Sequence, residues 1–163
     1  MYTPISNLSD SSRLWIYQSN RTFTDNEKSQ ISEALKQFTS TWNAHGSDLQ
    51  SSFEIVKDLF IVIAVDEESS AASGCSIDKC VGLIRHFEEA FGLSLFERTN
   101  VAYDTGDSIK IFTMNQAKSL IGDNVIQPTT PIYDNTVNNL GEFRKNWIKN
   151  ADQSWLKRFF VSA

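Results

Sequence analysis

Cysteine is scarce in this chain: there are two in 163 residues, Cys75 and Cys80. Five positions apart on one helix, they would point about 140° away from each other. A disulfide needs Cα atoms within about 7 Å and converging side chains. The pair is not a C-x-x-C motif, and two thiols alone do not make a structural zinc site. The chain therefore reads as reduced and cytosolic, with no metal and no cofactor implied. Glycine is also sparse at seven residues, and none is followed by lysine, which excludes the phosphate-binding P-loop. The longest apolar run, Leu59 to Val65, is too short to cross a bilayer. Met1 to Asp10 lacks the basic start and apolar middle of a signal peptide. Asn7-Leu8-Ser9 and Asn20-Arg21-Thr22 match the glycosylation pattern, but with no secretory signal they read as chance. Excess positive charge is missing too. The net charge is −5, so nucleic acid is not an expected partner, and neither is a membrane.

The chain is rich in aromatic residues, with eleven Phe and four Trp among 40% hydrophobic residues. That is enough to build a real core, and the length suits one compact domain. Residues 1–12 are Ser/Asn-rich and read as a flexible arm. Residues 13–163 read as a single α+β domain, with 127–163 as a helical C-terminal cover. Arg13 to Ser19 is apolar on both faces, as in a strand inside a sheet. Thr24 and Glu27 form a capping box. The helix it opens carries Ile31, Ala34, Leu35, Phe38 and Trp42 on one face. Phe53 to Lys57 is a short strand, Lys57-Asp58 a tight turn, and Phe60 to Val65 the most apolar strand. A second helix buries Ile77, Val81, Ile84, Phe87 and Phe91 and stops at Gly92. Val101 to Tyr103 and Ser108 to Thr113 flank a hairpin turn. Leu140, Phe143, Trp147 and Ile148 fit one amphipathic helix, and Trp155, Leu156, Phe159 and Phe160 fit another. The order predicts an antiparallel sheet with a split βαβ, ferredoxin-like core. Residues 142–158 carry five basic and two acidic side chains, a local balance of +3, which leaves −8 for the rest.

Ser73-Gly74-Cys75-Ser76-Ile77-Asp78-Lys79 is the candidate site. It joins the most apolar strand to the second helix, and free N–H groups at a helix start bind anions and lower a thiol's pKa. Ser73, Gly74, Cys75, Ser76 and Lys79 are the candidate ligand-binding residues. Ser73 or Ser76 equally serves as a simple N-cap. For nucleophilic chemistry Cys75 needs a base, and the candidates are His45 and Asp66, with Glu67 beside it. His45 follows the first helix, whose end need not lie near the start of the second. His86 lies on the second helix about 15–17 Å from Cys75, too far to serve it. Asp66, Glu67 and Glu68 read as a solvated acidic loop rather than a metal site. Cys80 falls on the apolar face.

Trp42-Asn43-Ala44-His45-Gly46, Ala64-Val65-Asp66-Glu67, Ser73 to Lys79, and Asp152-Gln153-Ser154-Trp155-Leu156-Lys157-Arg158-Phe159 resemble a small bacterial family of similar length. The likeness runs over nearly the whole chain. Its members are uncharacterised and often labelled ABC transporter ATPases. An ATPase of that type requires the P-loop that this chain lacks. The resemblance therefore implies one intact domain and no activity. The leading expectation is a soluble cytosolic binding or protein-interaction module, taking a small anion or a protein partner and able to pair as a homodimer. The alternative is a small acyl- or thiol-transfer enzyme using Cys75.

Overall fold

The computed structural model describes residues 1–161. It is a mixed helix-and-strand protein with antiparallel sheets. No helix among the described residues is long and apolar enough to cross a membrane. The chain gathers into two compact units: Met1–Glu97 with Asn138–Gly141, and Arg98–Val137 with the residues from Glu142 onward. Each has its own apolar cluster. Residues 162–163, at the end of the expected cover, lie outside the described residues.

The first unit contains β1 (Arg13–Gln18), α1 (Asp25–Thr41), β2 (Asn43–Ala44), β3 (Ser47–Asp48), β4 (Gln50–Val56), β5 (Phe60–Asp66) and α2 (Gly74–Phe91). Its sheet runs β1-β5-β4, with both pairings antiparallel. β5 is central because nothing polar interrupts Phe60 to Val65, and every residue of that run is fully buried. Lys57 and Asp58 take φ of 54° and 56°, and Leu59 N–H closes the turn on Val56 C=O at 3.1 Å. Two successive left-handed residues match the twist of a β4–β5 hairpin.

β1 and β4 flank β5 in the order of a split βαβ. The four-stranded ferredoxin-like sheet is not completed, because the strand after α2 pairs elsewhere. Asn138–Gly141 runs along the outer side of residues 10–14 instead. Leu14 N–H donates to Asn138 C=O at 3.0 Å, Leu140 N–H to Ser12 C=O at 2.9 Å, and Gly141 N–H to Asp10 C=O at 2.8 Å. Glycine eases this approach, since a Cβ on Gly141 would stand 3.1 Å from Asp10 Cβ and 3.2 Å from its carbonyl oxygen, and the neighbours would have to give by a few tenths of an ångström.

Residues 1–12 are fastened rather than loose. Thr3 N–H donates to Ser51 C=O at 2.8 Å and Ser51 N–H to Met1 C=O at 3.0 Å, so the segment satisfies part of the β4 edge. The Tyr2 ring packs on Phe53 at 5.9 Å and receives Lys36 Nζ 3.2 Å from its centroid. Serine and asparagine in this segment suggested a free arm, but backbone groups and one aromatic ring hold it.

Arg21 ties the two helices together. Its guanidinium grips both oxygens of Glu27, at 2.8 and 2.9 Å. It also donates to Phe91 C=O at the end of α2, at 3.0 Å. Glu27 completes the expected box, accepting from Thr24 N–H at 2.8 Å while Thr24 Oγ1 accepts from Glu27 N–H at 3.1 Å. The Arg21 hydrogen bonds, then that of Thr24, hold the Glu27 carboxyl down to about 2 from an ordinary 4.5. A depressed carboxyl stabilises the fold above its unfolded pKa, and that contribution fades as pH falls through the folded one. Between pH 5 and 2, denaturant midpoints should therefore fall less steeply in Glu27→Gln than in the parent chain. Parallel curves would mean that the grip does not persist in solution.

The second unit contains β6 (Asn100–Asp104), β7 (Ile109–Thr113), α3 (Ala117–Gly122), β8 (Pro131–Tyr133), α4 (Leu140–Asn146) and β9 (Ile148–Asn150). α4 begins in the stretch grouped with the first unit. Its four-stranded antiparallel sheet runs β7-β6-β8-β9. The β6–β7 hairpin forms as the sequence suggests: Gly106, at φ 92°, donates its N–H to Asp104 Oδ1 at 2.7 Å. The expected helical cover over 127–163 is only partly helical. Pro131–Tyr133 and Ile148–Asn150 pair as strands, and Ile148 is exposed rather than on a buried helix face. Trp155–Phe159 is a short 3-10 helix. It seats Leu156 fully buried in a cluster with Val101, Tyr103, Phe112, Ile126 and Ile132.

Candidate functional site

α2 begins earlier than its apolar periodicity suggests, at Gly74, with Ser73 as its N-cap. Ser73 Oγ accepts from Ser76 N–H at 3.2 Å, and Ser76 Oγ accepts from Ser73 N–H at 2.8 Å while donating to Ser73 C=O at 2.8 Å. Serine here takes the place of the usual Glu or Gln of a capping box. Both hydroxyls proposed for ligand binding are thus engaged within the cap, and Ser76 is buried. Gly74, Cys75 and Lys79 remain exposed. Among the described residues, the N–H groups of Gly74 and Cys75 have no acceptor. These two N–H groups are what the loop offers to an anion.

The acidic residues upstream shape the loop. Glu67 Oε2 accepts from Ala72 N–H at 2.8 Å, and its other oxygen lies 4.0 Å from Arg13 Nη1. Asp66 Oδ1 accepts from Glu68 N–H at 3.0 Å, and its Oδ2 from Ser9 Oγ at 3.3 Å. Glu67 thereby staples the segment between β5 and α2 from both ends. The cluster holds backbone and hydroxyl donors. Among the described residues no group of three metal-ligating side chains converges.

His45 sits at the tip of the β2–β3 hairpin. It takes φ 52° and Gly46 takes φ 82°, again a two-residue left-handed turn. Its ring is exposed, as is Cys75, and among the described residues no hydrogen bond joins the two. His86 is exposed on α2. Cys80 is buried as expected, and burial pushes its thiol up to about 12.

The end of α1 and the start of α2 are neighbours, contrary to the sequence-based doubt. Trp42, the C-cap of α1, donates its indole Nε1–H to Ser76 C=O at 2.9 Å. Its ring packs on Phe38 at 4.9 Å and Trp15 at 6.3 Å. This anchor of the loop was not recognised as such from the sequence. A buried tryptophan needs an acceptor for its N–H, which signals that a partner exists but not which one. The geometry defines a helix start tied down at Ser73, Ser76, Glu67 and Trp42, on an α+β scaffold of antiparallel sheets. Compared with known protein families, curated proteins and solved structures, the chain matches none.

Proposed function

We propose that this chain is a cytosolic, non-enzymatic protein-interaction module. The observation that carries this reading is the reciprocal cap between Ser73 and Ser76. It commits to local structure the two hydroxyls offered for binding a small ligand. Asp66 and Glu67 are likewise engaged with the loop, and among the described residues no base is hydrogen-bonded to Cys75. A protein suits the role better than a small anion. Asp78 lies within one turn of the Gly74 and Cys75 N–H groups, and its charge opposes a negative ligand.

Thiol reactivity separates this module from the alternative enzyme. With iodoacetamide at pH 7, Cys75 should react at the rate of an ordinary exposed thiol such as glutathione. Cys80 should react only as the protein unfolds, because burial and a pKa near 12 leave almost no thiolate. A Cys75 rate tenfold or more above that of glutathione would overturn the non-enzymatic reading and favour the thiol-dependent one.

A further inference from the structure

We propose that the outer edge of β4 over Phe53–Ile55 receives an extended peptide of a partner protein as an added strand, with a basic side chain opposite Glu54. The proposal rests on the interaction-module reading and names its surface. Ser51 directs both backbone groups away from β5, accepting from Thr3 N–H at 2.8 Å and donating to Met1 C=O at 3.0 Å. Outward and inward pairs alternate along an antiparallel ladder. Phe53 and Ile55, two and four residues on, therefore point their N–H and C=O outward as well. Among the described residues, no backbone group pairs with them on that side.

The chain itself shows that this edge accepts an extended segment. Residues 1–3 lie on it in parallel, bridged at Tyr2 and Ser51. Pro4 then leads into a 3-10 turn over Ile5–Asn7, so the backbone of the arm leaves before pairing with Phe53, while the Tyr2 ring packs on that side chain. What remains is a short open edge. Phe53 and Ile55 are half-buried on the helix-side cluster, each with part of its side chain still in contact with solvent. An added strand gains main-chain hydrogen bonds, and its alternate side chains read the flanking surface.

Glu54 decides the occupant. It is exposed on the opposite face, and among the described residues it has no salt bridge. Two-fold pairing of this stretch with a second copy would centre on Glu54 and set it against its own equivalent. Like charges directly opposite destabilise a strand pair, and opposite charges stabilise it. The edge thus favours a segment from another protein, apolar at the positions beside Phe53 and Ile55 and basic between them.

The test is an NMR titration of the full chain with two capped seven-residue peptides, one alternating Val and Lys, the other Val and Glu. The Lys peptide should give saturable shifts at the Phe53 and Ile55 amides and slow their exchange, and the Glu peptide should bind about tenfold more weakly. Glu54→Lys should reverse that order. Ile55→Pro removes an outward N–H but no β4–β5 bond, and should abolish the shifts while the other amide signals stay in place. Equal binding of the two peptides, shifts centred elsewhere, or unchanged binding in Ile55→Pro would overturn the proposal. So would a dimer of the peptide-free chain in which these amides are already protected. No edge binding with an ordinary Cys75 rate refutes this site alone, whereas a fast Cys75 refutes the non-enzymatic reading whatever the edge does.

Discussion

Replacing Trp42 by alanine should destabilise the first unit by about 3–5 kcal/mol, the range for a large buried aromatic. Two losses combine. Trp42 is only 3% exposed, so removal of its indole leaves a cavity beside Phe38 and Trp15. The Ser76 carbonyl loses a donor at 2.9 Å. The tie between the end of α1 and the start of α2 goes with it. Trp42→Phe separates these effects, keeping most of the ring and losing the hydrogen bond, at a cost of about 1–2 kcal/mol. Urea midpoints of the three proteins give the comparison. Hydrogen exchange at Ser76 and Ile77 should quicken in both variants. A Trp42→Ala cost below about 1 kcal/mol would mean that the indole does not hold this loop.

The second large effect is expected in the other unit. Leu156→Ala removes a fully buried side chain from a small cluster. A leucine truncated in a core costs about 2–5 kcal/mol, more where the surroundings cannot collapse. Here Leu156 stands on a five-residue 3-10 helix, Trp155–Phe159, pinned at its start by Ser154 Oγ, which accepts from Leu156 N–H at 3.1 Å. Loss of protection in β6 and β8 by hydrogen exchange is the readout. A cost confined to fraying of residues 155–160, with β6 and β8 as protected as before, would show that this helix only covers the unit and does not help to hold its core.

Much of the first unit was legible in local sequence. Thr24 and Glu27 announce a helix start because a side-chain acceptor three residues from its partner satisfies two orphan N–H groups. Gly92 announces the end of α2, and it takes φ 63° as C-cap, with its N–H on Glu88 C=O. Phe60 to Val65 reads as a central strand because nothing in it tolerates water. Less was legible where partners are far apart in sequence. The aromatic residues of 140–160 fit helical spacing, yet Ile148–Asn150 is a strand, because β8 offers it a ladder. The strand after α2 lies at the expected place in the chain but pairs with β7 and β8. Asn138–Gly141 lies beside β1 instead, and a polar Asn-Asn-Leu-Gly stretch carries no strand signal.

The candidate site divides along the same line. Ser73-Gly74-Cys75-Ser76 was recognisable as a helix start, and local chemistry allowed either a cap or a ligand cradle. Nothing in the residue types decided between them, since a hydroxyl can serve its own backbone or a ligand equally well. In the fold Ser76 N–H lies on Ser73 Oγ, Glu67 on Ala72 N–H and the Trp42 indole on the Ser76 carbonyl, so the two hydroxyls serve the cap while, among the described residues, the Gly74 and Cys75 N–H groups stay open. The sequence alone determined the caps, the turns, the buried central strand and the absence of a P-loop, each of which depends on neighbours within a few residues. Tertiary structure alone decided which strands share a sheet, what fastens the N-terminal segment, and that His45 and Cys75 make no bonded pair. Those outcomes depend on contacts between residues tens of positions apart, whose free energy no local pattern contains.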